Sequence, residues 1–139
     1  MQLLRLFILS LFLLINSFCF SQTDFRLPLD KITVTGNFCE IRPGHFHAGL
    51  DLRTDASKNL PIYSIGDGYI SRIKISTYGY GNVIYVTHPG GYVSVYAHQH
   101  HFTDKLEKHM RKKQKENETF ELELFPAKDE LPIKKGDVI

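Results

Sequence analysis

The chain has 139 residues, with 17 Lys and Arg against 15 Asp and Glu, and 42% of its side chains are hydrophobic. So even a balance gives no footing for a nucleic-acid or other polyanion partner, and the length suits one domain around one core. Of the two cysteines, only Cys39 would survive removal of an N-terminal leader, which excludes an intrachain disulfide in the mature chain.

Residues 1–21 have the pattern of an export signal. Arg5 supplies a short positive end, Leu6 to Ile15 is apolar except for Ser10, and Cys19-Phe20-Ser21 offers small residues for cleavage. The run is too short for a stable membrane span, which needs about 20 apolar residues. Lipidation at Cys19 fits poorly, because bulky Phe18 precedes it. The mature chain is expected over residues 22–139, exported to the periplasm or cell envelope.

β-branched Ile32 to Phe38 predicts a first strand, with Cys39 a small buried hydrophobe on a strand. Gly44 to Asp51 then sets His47 and Asp51, both zinc-ligand types, four residues apart. A straight strand would hold such positions roughly 13 Å from each other. A shared ion therefore requires a bend, which Gly49 can supply. Spacing alone leaves two readings open, half of a metal site or a strand histidine beside a surface aspartate.

Leu60 to Ile65 reads as a strand, Gly66-Asp67-Gly68 as a turn, and Tyr69 to Ile75 as a half-buried strand of alternating polarity. Gly79 to Asn82 opens a strand and lacks a following lysine, so it is no phosphate loop. Asn82 to His88 and Tyr92 to His98 form a hairpin through Pro89-Gly90-Gly91. Thr103 caps a helix running through Asn117, packed by Leu106 and Met110, with the basic run Lys108 to Lys115 as a solvated face. Phe120 to Phe125 alternates as a short strand with Glu121 and Glu123 outward, and Leu131 to Ile139 reads as strand, turn, strand. That last strand has two residues after its turn, which leads to the expectation that the domain continues past Ile139.

All seven histidines follow residue 44. His88, before Pro89, has a structural or surface role by default, while His98 closes a hairpin strand where a side chain is commonly delivered into a cleft. His45 shares a strand face with His47, and His100, His101 and His109 read as solvated surface. A catalytic zinc needs about three protein ligands. Spacing names two.

Four ordered segments carry a resemblance: His47-Ala48-Gly49-Leu50-Asp51, Leu60 to Ile70, Tyr78 to His88, and Tyr92 to His98. Together they resemble the lysostaphin/LytM-type zinc endopeptidases of bacterial cell walls, over about Gly36 to Ile139. The resemblance implies a mainly β, antiparallel domain of the lysostaphin-like (duplicated hybrid motif) type with one inserted helix. It implies Zn2+ held by His47 and Asp51, with His98 as a catalytic histidine; Tyr80 and Tyr96 are placed by position along a substrate groove. The implied substrates are peptidoglycan stem peptides or cross-bridges, with no nucleic acid and no stable membrane span after signal cleavage. The family's closing His-x-His motif, with its third ligand and second catalytic histidine, is expected beyond Ile139. Residues 22–139 then form the N-terminal part of the peptidase domain. The alternative is an inactive module that binds the wall or regulates a wall hydrolase.

Overall fold

The computed structural model describes residues 24–54 and 60–139, so the expected export signal lies outside the described residues. Among those described, no helix is long and apolar enough to cross a membrane. Among the described residues the architecture is mainly β and antiparallel, with one α-helix, as expected from the sequence.

Two small ribbons come first. β1 (Val34–Gly36) pairs with β4 (Asp51–Leu52), and β2 (Ile41–Arg42) pairs with β3 (His45–Phe46). The predicted strand over Ile32 to Phe38 shortens to three residues, because its partner β4 offers only Asp51 and Leu52, with a register shift between Val34 and Gly36. Cys39 is neither buried nor on a strand. It is exposed because it sits in the turn before β2, with φ +62° and its N–H donating to the His47 carbonyl at 2.8 Å.

β5 (Gly68–Ile75), β6 (Val83–Thr87), β7 (Val93–Tyr96), β8 (Leu122–Leu124) and β9 (Pro132–Ile133) form the main sheet. Its order is β7-β6-β5-β8, with β9 pairing the start of β5. The β6–β7 hairpin is there, its Pro89–Gly91 connector a single 3-10 turn in which Gly90 and Gly91 both take φ +84°. Only glycine adopts that conformation without strain. Leu60 to Ile65, expected as a strand, forms only the isolated bridge Tyr63↔Val138. Pro61 has no N–H, and the remaining groups are divided between two neighbours. Tyr63 donates to Pro28 and Ile65 accepts from Arg26, whereas Ile62 accepts from Ile139 and Ser64 exchanges bonds with Gly136 and Asp137.

α1 (Asp104–Glu116) matches the predicted helix, with Thr103 at its N-cap position and Asn117 at its C-cap. Thr103 makes no side-chain cap bond; Glu107 instead reaches back to the Phe102 N–H at 3.2 Å. Leu106 and Met110 are buried in the core with Ile70, Ile73, Ile84, Val86, Tyr96 and Leu122. The basic run is solvated and largely paired, Arg111 with Glu107, Lys112 and Lys113 with Glu116. His109, expected on the exposed face, is half-buried near Glu130. In β8 the expected alternation holds, with Leu122 buried, Leu124 half-buried against the core and Glu121 and Glu123 exposed, but Phe120 and Phe125 lie outside the strand and are exposed.

Just before β8, Glu121 clamps the loop that precedes β6. Its carboxylate accepts from the Thr77 N–H (2.9 Å), the Thr77 hydroxyl (2.9 Å) and the Ser76 hydroxyl (3.4 Å). The Thr77 backbone bond is the main reason its carboxyl lies below the ordinary range, with the Thr77 hydroxyl next, burial opposing, and Ser76 and Lys74 adding to the lowering.

Met110→Ala is expected to destabilise the domain by about 2–5 kcal/mol, measured by chemical denaturation, because it opens a cavity where helix meets sheet. Because the folded carboxyl of Glu121 titrates below the unfolded value of about 4.3, its contribution is complete above that pH and is lost as pH falls through the folded value. Melting curves of the wild type and Glu121→Gln should therefore differ at pH 7 and converge toward pH 3; a gap that is unchanged at pH 3 contradicts this account.

Candidate metal centre and cleft

The two short ribbons place His47 and Asp51 together. β3 runs into His47, whose backbone is fixed on both sides: its N–H donates to the Glu40 carbonyl and its carbonyl accepts from the Cys39 N–H, each at 2.8 Å. The chain bends at Gly49 and enters β4 at Asp51. The result is an Nε2-to-Oδ1 separation of 3.2 Å between His47 and Asp51. The bend that the spacing demands is present, but Gly49 is not among the residues with positive φ. The turn is therefore made without the left-handed freedom expected of that glycine.

The donor chemistry fits part of a zinc site. The His47 Nδ1 lies 2.8 Å from the Asn37 carbonyl, which can only accept, so a neutral His47 carries its proton there and turns the Nε2 electron pair toward Asp51. A lone pair facing a carboxylate oxygen at 3.2 Å is repulsive unless a proton or cation lies between them. Two zinc bonds of about 2.0–2.1 Å at a tetrahedral angle put their donors about 3.3 Å apart. The observed spacing agrees with that edge. Among the described residues, no group of three His, Cys, Asp or Glu side chains gathers to hold a metal.

Asp51 has a second partner. Arg42 Nη2 donates to its Oδ2 at 2.6 Å and to Glu40 Oε2 at 3.1 Å. The Arg42 bond is the main cause holding the Asp51 carboxyl below the ordinary range, opposed by burial and assisted by charge on His47, Arg42 and His98. Gly36, opposite Asp51 in the β1–β4 pair, permits this approach: a Cβ there would overlap Asp51 Oδ2 and come within 2.6 Å of Arg42 Nη2.

His98 follows β7 with φ +57°, its N–H donating to the Tyr80 carbonyl at 3.0 Å and its ring edge-on to the Tyr80 ring at 6.4 Å between centroids. Asn82 fixes the next residue, accepting from the Gln99 N–H at 3.0 Å and donating to the Gln99 carbonyl at 3.1 Å. His47, Asp51, Tyr80, Tyr96 and His98 all line one open cleft of about 1020 Å3. Tyr80 is 47% exposed at its wall, whereas Tyr96 is 7% exposed and belongs to the core beneath it. His100 and His101 are exposed as expected, His45 is exposed as well, and all three border this cleft. His88 is buried, bonded to the Asp67 carbonyl and the Ser94 hydroxyl at 2.8 Å each.

Asn37, Glu40 and Arg42 escaped sequence reasoning. Nothing in their spacing marks them, since they meet the site through the β2 turn and a cross-strand approach rather than through a periodic motif. A scan against family models matches residues 45–115 to the model described as Peptidase family M23. No curated protein and no solved structure matches.

Gly36→Ala is expected to cost about 1–3 kcal/mol by overpacking, read by chemical denaturation. An unchanged midpoint would show that Arg42 and Asp51 do not need the close approach.

Proposed function

Since the chain belongs to peptidase family M23, the family of the lysostaphin/LytM-type metallopeptidases, we propose that it is an exported zinc metallo-endopeptidase hydrolysing peptide cross-links of bacterial peptidoglycan. The observation that carries this reading is the His47–Asp51 pair, two donors 3.2 Å apart with the histidine's other nitrogen tied to a carbonyl, in the cleft that His98 also lines. His47 and Asp51 are the zinc ligands in this reading. Bound zinc would supply Lewis acidity for amide hydrolysis.

The chain's own residues do the rest. Asn37 fixes the His47 tautomer and ring plane, and Arg42 occupies one Asp51 oxygen, leaving the other toward His47. His98, anchored through its backbone to Tyr80, presents an imidazole to the cleft for proton exchange with a bound peptide. Tyr80 flanks that imidazole and shapes the wall against which an extended peptide lies. A cleft of about 1020 Å3 is at the upper end of small-molecule sites, which suits a segment of a polymer better than a single metabolite.

The test uses the protein expressed from its complete reading frame. Wild type should carry zinc in stoichiometric amount and release soluble peptides from purified peptidoglycan. His47→Ala should lose the metal and the activity together. His98→Ala should keep the metal and lose about 10²–10⁴-fold in rate. Zinc bound without any hydrolysis would favour the inactive module, and a wild type without zinc would end the metallopeptidase reading.

A further inference from the structure

We propose that Arg42 is a positioning residue for the metal site: anchored by Glu40, it draws off Oδ2 of Asp51 so that the carboxylate offers Oδ1 alone beside His47 Nε2. This rests on the assignment of His47 and Asp51 as zinc ligands.

The contacts close into a circuit. His47 Nδ1 meets the Asn37 carbonyl (2.8 Å), the Asn37 N–H donates to Glu40 Oε2 (3.2 Å), and that oxygen accepts from Arg42 Nη2 (3.1 Å). Arg42 Nη2 also donates to Asp51 Oδ2 (2.6 Å), and Asp51 Oδ1 returns to His47 Nε2 (3.2 Å). His47 cannot rotate without breaking its bond to the Asn37 carbonyl, nor Asp51 without breaking its bond to Arg42, and Glu40 ties Asn37 and Arg42 together. The Arg42 side chain is 35% exposed and that of Asp51 43%, and exposed ion pairs contribute little to stability, so orientation is the more consequential effect of this contact.

Two chemical points favour a role toward the metal. A carboxylate with both oxygens free can chelate a large oxygen-seeking cation in bidentate fashion. With Oδ2 occupied, only the single-oxygen mode that tetrahedral zinc takes remains open. A lone cation beside a ligand would weaken metal binding, but Glu40 neutralises Arg42, so the charge of Asp51 stays available. Contact through one guanidinium nitrogen, rather than a fork, also means that a lysine ammonium can reproduce it in part.

The experiment uses the protein from its complete reading frame and the variants R42M, R42K, E40Q and H47A. Zinc affinity is read by competition with a chromophoric chelator, ligand geometry by the visible spectrum of the cobalt(II) form, and folding by the melting temperature of the metal-free form. R42M is expected to weaken zinc about 10–100-fold and to reduce the intensity of the cobalt bands, with R42K recovering most of both and the metal-free melting temperature nearly unchanged. Wild-type affinity and spectrum in R42M, with zinc lost in H47A, overturns the role of Arg42 alone. Zinc retained in H47A overturns the underlying ligand assignment instead. If metal-free R42M fails to fold, E40Q decides: weakened zinc sustains the proposal and unchanged zinc overturns it.

Discussion

The two oxygens of one carboxylate are divided between two partners, and the arrangement of the cleft depends on that division. Asp51 gives Oδ2 to Arg42 and turns Oδ1 to His47. Each of the short ribbons supplies one side of the contact, β1–β4 carrying Asp51 and β2–β3 carrying Arg42 and leading into His47. Ribbons of two or three residues have little ladder bonding to hold them. The polar circuit through Asn37, Glu40 and Arg42 links them directly, and the absence of a Cβ at Gly36 lets them close.

The wall opposite is set by the main sheet and by a second polar network beneath it. The Asp67 carbonyl can only accept, so a neutral His88 carries its proton on Nδ1 and takes the Ser94 hydroxyl proton at Nε2. The Ser94 oxygen is then left to accept from the Tyr96 hydroxyl (3.0 Å), which itself accepts from the Ile65 N–H (2.9 Å). All donors in this chain point the same way, an arrangement in which successive bonds polarise one another. It ties β7 to the turn before β5 and to the irregular segment around Ile65. His98 thus leaves the sheet from a strand whose preceding tyrosine is held at both ring and hydroxyl.

Sequence and structure agree where a local signal suffices. The β-rich run Tyr69 to Ile75, the Pro89-Gly90-Gly91 connector, and the Leu106 and Met110 stripe each carry their signal within a few residues, and β5, the hairpin and α1 follow. In β5, however, a register shift between Ile70 and Arg72 replaces the strict alternation with buried Ile70 and Ile73 three residues apart. The disagreements lie where backbone groups find distant partners. Leu60 to Ile65 has strand-like side chains, but its N–H and carbonyl groups are shared between residues 26–28 on one side and 136–139 on the other, and no regular ladder forms. Cys39 has the residue type of a buried site, yet its backbone is committed to His47 and its side chain is exposed.

For the site, the sequence by itself determined the candidate pair and the order of the motifs. His47 and Asp51 are four residues apart, near enough that any bend joins them, and the segments ending at His98 complete a pattern carried in chain order. Only the tertiary structure decided how the pair is oriented, with the turn made without positive φ at Gly49, the His47 tautomer set by Asn37, and one Asp51 oxygen taken by Arg42. The reason is physical. A ligand's identity is a property of its side chain, whereas its orientation is fixed by hydrogen bonds to groups that meet it only after two ribbons have folded across each other.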